Sequence, residues 1–281
     1  IGLVLFCSSC INDLDTEPKT QLTLEQLLQK DPNAIEGLVS KIYGTFSLSG
    51  ASGPGSTDTP GDDAGESPFL RGIINLQDFT ADDMKNRWGD NGLDQLTTCT
   101  DWDANNKFFR YLYNRVYYTV PQCNQIIQVM NNVNVPNKEQ YKSEMRFLRS
   151  LAYYYMIDCF GKGVIVTEAD LDNATPKPQA SRSEMFNFVV AELLDIENKL
   201  PATIGYARTN KNVVRMLLAK LYLNAEVYTG TPMYDKALIY SKKVIDEGGY
   251  SLAPNFQSLF QADNNESIAK NEIIYPLIAD P

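Results

Sequence analysis

Residues 217–245 read "LLAKLYLNAEVYTGTPMYDKALIYSKKVI". Two apolar runs, each patterned for a helix, flank a short link rich in turn formers. Small residues (Ala219, Ala225, Ala237) stand where two helices approach closely, with Tyr222 and Tyr234 around them. This is the logic of a tetratricopeptide pair, in which stacked helical hairpins bury one another's apolar faces. The link "TGTPM" (229–233) is longer than the consensus turn, and an ordinary helical hairpin is the plainer alternative. Either way the pattern predicts helices over Asn212–Tyr228 and Tyr234–Asp246, ended by Gly248-Gly249.

Working outward, the same periodicity recurs. Ser183–Leu200 reads as a helix closed by Pro201, and Lys138–Phe160 as one ended by Gly161. From Ala104 a stripe of Phe108, Tyr111, Leu112, Val116 and Val120 predicts a helix running to about Met130, with Pro121 bending or interrupting it. Leu24, Leu27, Leu28, Ile35, Leu38, Val39 and Ile42 form two more helical pieces, broken at Asp31-Pro32. Between these lies a stretch dense in Gly, Ser, Pro and Asp over 47–68, expected to be a long loop. It is either a flexible linker or a functional loop. Residues 69–103 carry short mixed patterns with turn signals at Gly89 and Asn91-Gly92. The last ten, "EIIYPLIADP", read as a strand starting or a segment leaving the core, as expected if 281 residues are the N-terminal part of a longer protein.

Composition narrows the chemistry. With 43% hydrophobic and 21% charged residues the chain is globular. Its net charge of -10 repels phosphate backbones, which argues against a nucleic-acid partner. It has no histidine, so the commonest general base and metal ligand is missing. It also lacks the glycine-rich nucleotide signatures and G-x-S-x-G. A glycoside hydrolase would need two carboxylates roughly 5–10 Å apart. Asp82-Asp83 and Asp101/Asp103 are available, but acids so placed are common in turns and at helix starts. Five cysteines follow no metal spacing, and Cys99, Cys123 and Cys159 are expected to be partly buried small hydrophobes. The 16 tyrosines suit wet grooves and interfaces as well as cores.

The N-terminal "LVLFCSSCINDLD" (3–15) places Cys7 and Cys10 at C-x-x-C spacing. No second pair follows to complete a zinc site, and the pair opens no helix inside a domain. An apolar run, two serines and a cysteine form the pattern of a lipoprotein signal. Residues 1–9 are then a signal remnant, Cys10 carries the lipid, and 10–23 is a polar tether; a frayed, unmodified tail is the alternative.

Several blocks together resemble the SusD/RagB family. They are "SSCINDLD" at 8–15, "EMRFLRSLAYYYMIDCFGKGVIV" at 144–166, "RSEMFNFVVAELLDIENKLP" at 182–201 and the 217–246 hairpin. The resemblance covers essentially the whole chain in family order; any one block alone is weak. It implies a mainly α fold: a right-handed superhelix of tetratricopeptide-like helical pairs with a loop-rich irregular lobe packed on it, filling residues 24–281. It also implies a non-catalytic lipoprotein of the Gram-negative outer membrane, exposed at the cell surface. Such proteins bind oligosaccharides and work with a TonB-dependent, SusC-like transporter. The alternative is a tetratricopeptide-like scaffold for a protein or peptide partner.

The loop lobe resembles the starch-binding type, which favours an α-glucan. "GDDAGESPFLRGIINLQDFTADD" (61–83) and "RWGDNGLDQLTT" (87–98) are similar to the two stretches that line its sugar site. By that resemblance Asp63 and Arg71 hydrogen-bond sugar hydroxyls, Trp88 belongs to an aromatic arc and Asn91 hydrogen-bonds the glucan. The segment around Trp88 is one residue shorter than in starch binders, and Lys85 or Asn86 stands where a second tryptophan is expected. From the residues alone, Trp88 in a polar turn is either exposed for binding or folded onto the core. Arg71 could equally pair with an acid, and Asp63 could be a turn former. No cofactor is required. Calcium is the one candidate ion, at Asp263 in the polar loop "FQADNNESIAKNE" (260–272) with Glu266 nearby, against the plainer reading of a solvated loop.

The anchor makes a direct prediction. Cys10→Ala should leave the protein soluble in the periplasm, and the mature wild-type N-terminus should carry an acyl mass on Cys10. Membrane fractionation of the variant, or an unmodified Cys10, contradicts the assignment.

Overall fold

The computed structural model describes residues 22–278 except Asp62, Asp82, Trp88 and Ala174. The signal remnant 1–9, and the 10–23 tether up to residue 21 with Cys10, lie outside the described residues. Among the described residues the fold is mainly α, with no strand and one isolated bridge, Gly163–Ala180.

The chain opens with α1 (Leu24–Lys30) and α2 (Ile35–Gly44). Thr23 and Gln26 form a capping box at the start of α1. Asp31 and Pro32 break the run as the sequence predicts, Asp31 capping the short turn that follows. Then come α3 (Phe69–Gln77) and α4 (Leu93–Thr98), which the short mixed patterns of 69–103 did not predict. Helices of nine and six residues repeat their apolar spacing too few times to stand out, and packing holds them instead. Gly72 lets α3 lie against the following long helix, because a Cβ there would meet Leu112 at 3.1 Å.

That long helix, α5 (Lys107–Asn132), pairs with α6 (Lys138–Phe160) as a hairpin. Pro121 sits inside α5 on its exposed side and does not end it. α6 stops at Gly161, whose φ of 79° is left-handed and favours glycine. α7 (Arg182–Ile196) packs on α6. The connection between them is pinned by hydroxyls: Tyr117 accepts from Val164 N (2.6 Å) and Tyr153 from Val166 N (2.8 Å). Arg149, almost fully buried in α6, donates to Glu168 and Glu192 (both 2.5 Å) and to Asn124 (2.6 Å). One guanidinium thus ties α5, α6, α7 and their connection. A second hub is Glu144, fully buried, which accepts from Tyr43 (2.6 Å) and from Arg208 (2.7 and 2.8 Å).

α8 (Lys211–Leu223), α9 (Ala225–Thr229) and α10 (Tyr234–Glu247) form the hairpin read first. The expected Asn212–Tyr228 helix is split at Asn224, whose backbone leaves the α-helical region between α8 and α9. Asn competes with the helix ladder for backbone hydrogen bonds, so such a break suits it. Ala219, Ala225 and Ala237 are buried in the seam, and the Tyr222 and Tyr240 rings stack at 5.6 Å. At the C-terminal end no strand forms. Ile274, Tyr275 and Leu277 instead pack on the main core. Cys99 departs from expectation, being exposed at the end of α4, whereas Cys123 is buried and Cys159 half-buried. None of the described helices is long and apolar enough to cross a membrane.

Gly161→Ala should destabilise the protein by roughly 1–2 kcal/mol, the cost of a left-handed backbone carrying a Cβ. The added methyl also crowds Arg182 Nη2, at 2.6 Å. Urea unfolding measures it, and a variant as stable as wild type would mean α6 ends by some other device.

Candidate functional site

The loop-rich lobe is built on one side chain of α5. Arg115 exposes none of its surface. It donates to the Ser67 carbonyl (2.5 Å), the Ser67 hydroxyl (3.0 Å), the Thr57 hydroxyl (3.3 Å) and the Ser49 carbonyl. Asp58 lies 3.9 Å from its Nη1. Burial pulls the Arg115 pKa below its ordinary value, and the Asp58 carboxylate opposes that shift. The loop 47–68 is therefore fixed at Ser49, Thr57, Asp58 and Ser67, just before α3 begins.

α3 then presents Arg71, half-exposed. Its guanidinium donates to the Gly65 carbonyl (3.4 Å) and pairs with Asp90 (3.3 Å). Gly65 belongs to the turn that Asp63 caps, Asp63 Oδ1 accepting from Gly65 N at 2.7 Å. Asp90 directly precedes Asn91, which is exposed in the turn before α4. Gly92 follows with φ 94° and is held by Asn106, whose Nδ2 donates to the Gly92 carbonyl at 3.0 Å. Glu66 accepts from Lys107 at 2.9 Å. Burial works against the Lys107 ammonium, yet this bond keeps its pKa above the ordinary value.

Arg71 thus bonds both segments that resemble sugar-lining stretches. The alternatives open at Asp63 and Arg71 are realised, as turn former and ion-pair partner, without removing either from the surface. Beside them is a cavity of about 430 Å³, walled by Arg71, Ile74, Asn75, Phe79 and Asn86 among others. The buried Nδ2 of Asn75 finds no hydrogen-bond partner among the described residues. An orphaned donor costs about 1–3 kcal/mol, so a ligand hydroxyl or water is favoured there. Trp88 lies outside the described residues.

The candidate calcium residue Asp263 sits in a turn where its carbonyl accepts from Glu266 N (2.9 Å) and Ser267 N (2.8 Å). Among the described residues no group of three or more His, Cys, Asp or Glu side chains could hold a metal ion. Calcium at Asp263 would therefore depend on backbone carbonyl and Asn oxygens rather than on a carboxylate cluster. Sequence reading missed Arg115, Asp90, Asn106 and Asn75, the residues that position the surface. The available signal was a charge at Arg115, in helical register with the apolar stripe of α5.

No family model matches the chain. It is 34% identical to the starch-binding protein SusD of Bacteroides thetaiotaomicron over 278 residues, covering 97% of this chain and 48% of that protein. The chain spans about half the length, or less, of the curated relatives it matches. Among solved structures, a SusD superfamily protein from Bacteroides vulgatus aligns with a TM-score of 0.68 at 15% identity, over 85% of this chain and 48% of that one. The surface glycan-binding protein A of Bacteroides thetaiotaomicron, solved with laminarihexaose, aligns at 0.65 and 18% identity, over 87% and 49%. At such identities these likenesses establish the fold alone.

Arg115→Ala should strip the loop lobe of its anchor and leave the Ser67 carbonyl unpaired, the Ser49 carbonyl keeping its bond from Asp58 N, at a cost of roughly 2–5 kcal/mol. Limited proteolysis should then cut first within 47–68. Cleavage beginning in α8–α10 would show that Arg115 does not hold the lobe.

Proposed function

The chain belongs to the SusD/RagB family, and we propose that it is a non-catalytic glycan-binding lipoprotein of the outer-membrane surface. In this reading it captures oligosaccharides, α-glucans of the starch type first, and passes them to a TonB-dependent SusC-like transporter. Cys10 carries the lipid anchor. The observation that carries the reading is Arg71, which joins the two segments that resemble sugar-lining stretches, beside a cavity whose buried Asn75 Nδ2 has no partner among the described residues.

Recognition of a sugar needs an apolar face for its C–H surface and a few placed donors and acceptors. Here Arg71 and Asn91 supply donors, Asp63 supplies acceptor oxygens, and Trp88 supplies the stacking face. The relative named for starch binding supports the α-glucan choice, and the acidic net charge suits a neutral ligand over a polyanion. A second reading, a helical scaffold for a protein partner, is favoured by one observation. Leu238, Ile239 and Ile245 of α10, with Leu252, Phe256 and Phe260 after it, are each at least 53% exposed.

Calorimetry on the whole protein with maltoheptaose separates the readings. Trp88→Ala should weaken binding by roughly 1–3 kcal/mol, and Asn91→Ala by about 1 kcal/mol. Thermal melts of both should match wild type. Unchanged affinity in Trp88→Ala would show that the stacking role was assigned to the wrong residue. Wild type that binds no glucan but retains a protein partner would favour the scaffold.

A further inference from the structure

A larger cleft, of about 700 Å³, opens on the opposite side of α3. Leu76 and Gln77 wall it, whereas Leu70, Arg71 and Ile74 wall the first cavity. Its size lies within the roughly 300–1,000 Å³ of ordinary ligand clefts. Its apolar wall is aromatic. Trp102 meets Phe109 edge-on at 5.9 Å, and Tyr113 meets Phe160 edge-on at 5.7 Å. Trp102 nevertheless stays 42% exposed and Tyr113 37% exposed, so both buttressed rings keep surface for a ligand.

The rest of the wall is polar and held in place. Asp158 accepts from Gln77 Nε2 and from the Tyr228 hydroxyl, each at 2.6 Å, which fixes its carboxylate between α3 and α9. Gln77 keeps its carbonyl oxygen as an acceptor. Arg110 lines the cleft and pairs with no carboxylate among the described residues. A purely apolar ligand would desolvate the Arg110 guanidinium and the Gln77 carbonyl oxygen without offering either a partner, which is costly. A pyranose matches both halves, with its C–H face on the rings and its hydroxyls on Arg110, Gln77 and Asp158.

We propose that this cleft is a second sugar subsite, taking a short oligosaccharide segment on Trp102 and Tyr113. The proposal rests on the glycan-binding reading above but uses none of its residues.

The chain's two tryptophans, Trp88 and Trp102, give each site its own reporter. In the whole protein, the emission lost in Trp102→Phe is that of Trp102, and the emission lost in Trp88→Phe is that of Trp88. Titration with maltotriose should shift Trp102 emission, read as wild type minus Trp102→Phe, saturably. Adding Tyr113→Ala should weaken that response at least tenfold. Trp102 emission that never moves, while Trp88 responds and calorimetry records binding, overturns the second subsite and leaves the glycan reading standing. A Trp102 response with the same affinity after Tyr113→Ala also overturns it. Silence of both tryptophans together with no heat of binding overturns both.

Discussion

Arg115 is a charged side chain with no exposed surface, and the site depends on how that charge is satisfied. Taking a guanidinium out of water costs several kcal/mol unless its donors are met. Here the loop meets Nε and Nη2 through the Ser49 and Ser67 carbonyls and the Thr57 and Ser67 hydroxyls, while Nη1 makes no hydrogen bond among the described residues and faces only the Asp58 carboxylate at 3.9 Å. The loop gains in turn. Ordering each residue of a Gly- and Ser-rich stretch costs about 1–2 kcal/mol, and 47–68 has little apolar side chain to offset that. Helix α5 and the loop therefore solve each other's problem. Ser67 leads directly into α3, so fixing it also fixes Arg71, and Arg71 draws the 90–92 turn towards the 63–66 turn.

The helical lobe supplies the rigid frame. Two further buried charges, Arg149 and Glu144, crosslink it, the first through α5–α7 and the second through α2, α6 and Arg208. Each side chain joins segments far apart in sequence. A surface assembled from loops holds its shape only if the helices beneath it do not shift, and these hubs oppose such sliding. The two cavities flanking α3 share that support, one at the loop lobe and one where α3 meets the ends of α5 and α6.

How much of this was legible in the sequence varied with the length and repetition of each signal. The Lys138–Phe160 helix repeats its pattern over six turns and ends at a glycine, and its observed limits match. The broken 24–44 pair and the α8–α10 hairpin were also legible. α3 and α4 were not, being too short to repeat a period. Arg115 and Arg149 stand within apolar stripes, at i+4 from Tyr111 and Met145, and that misfit was a visible but unspecific sign of buried charge. Partners such as Asp90 for Arg71, or Asn106 for Gly92, are 14 to 19 residues apart and follow no periodicity, so only the fold reveals them.

Amide hydrogen exchange of the whole protein, with and without saturating maltoheptaose, tests the central claim most directly. If Arg71 organises a sugar-binding surface on the Arg115-anchored lobe, the sugar should slow exchange in 61–71 and 86–93 and leave α8–α10 unchanged. Slowed exchange confined to α8–α10, or none anywhere while binding is saturated, would contradict the account.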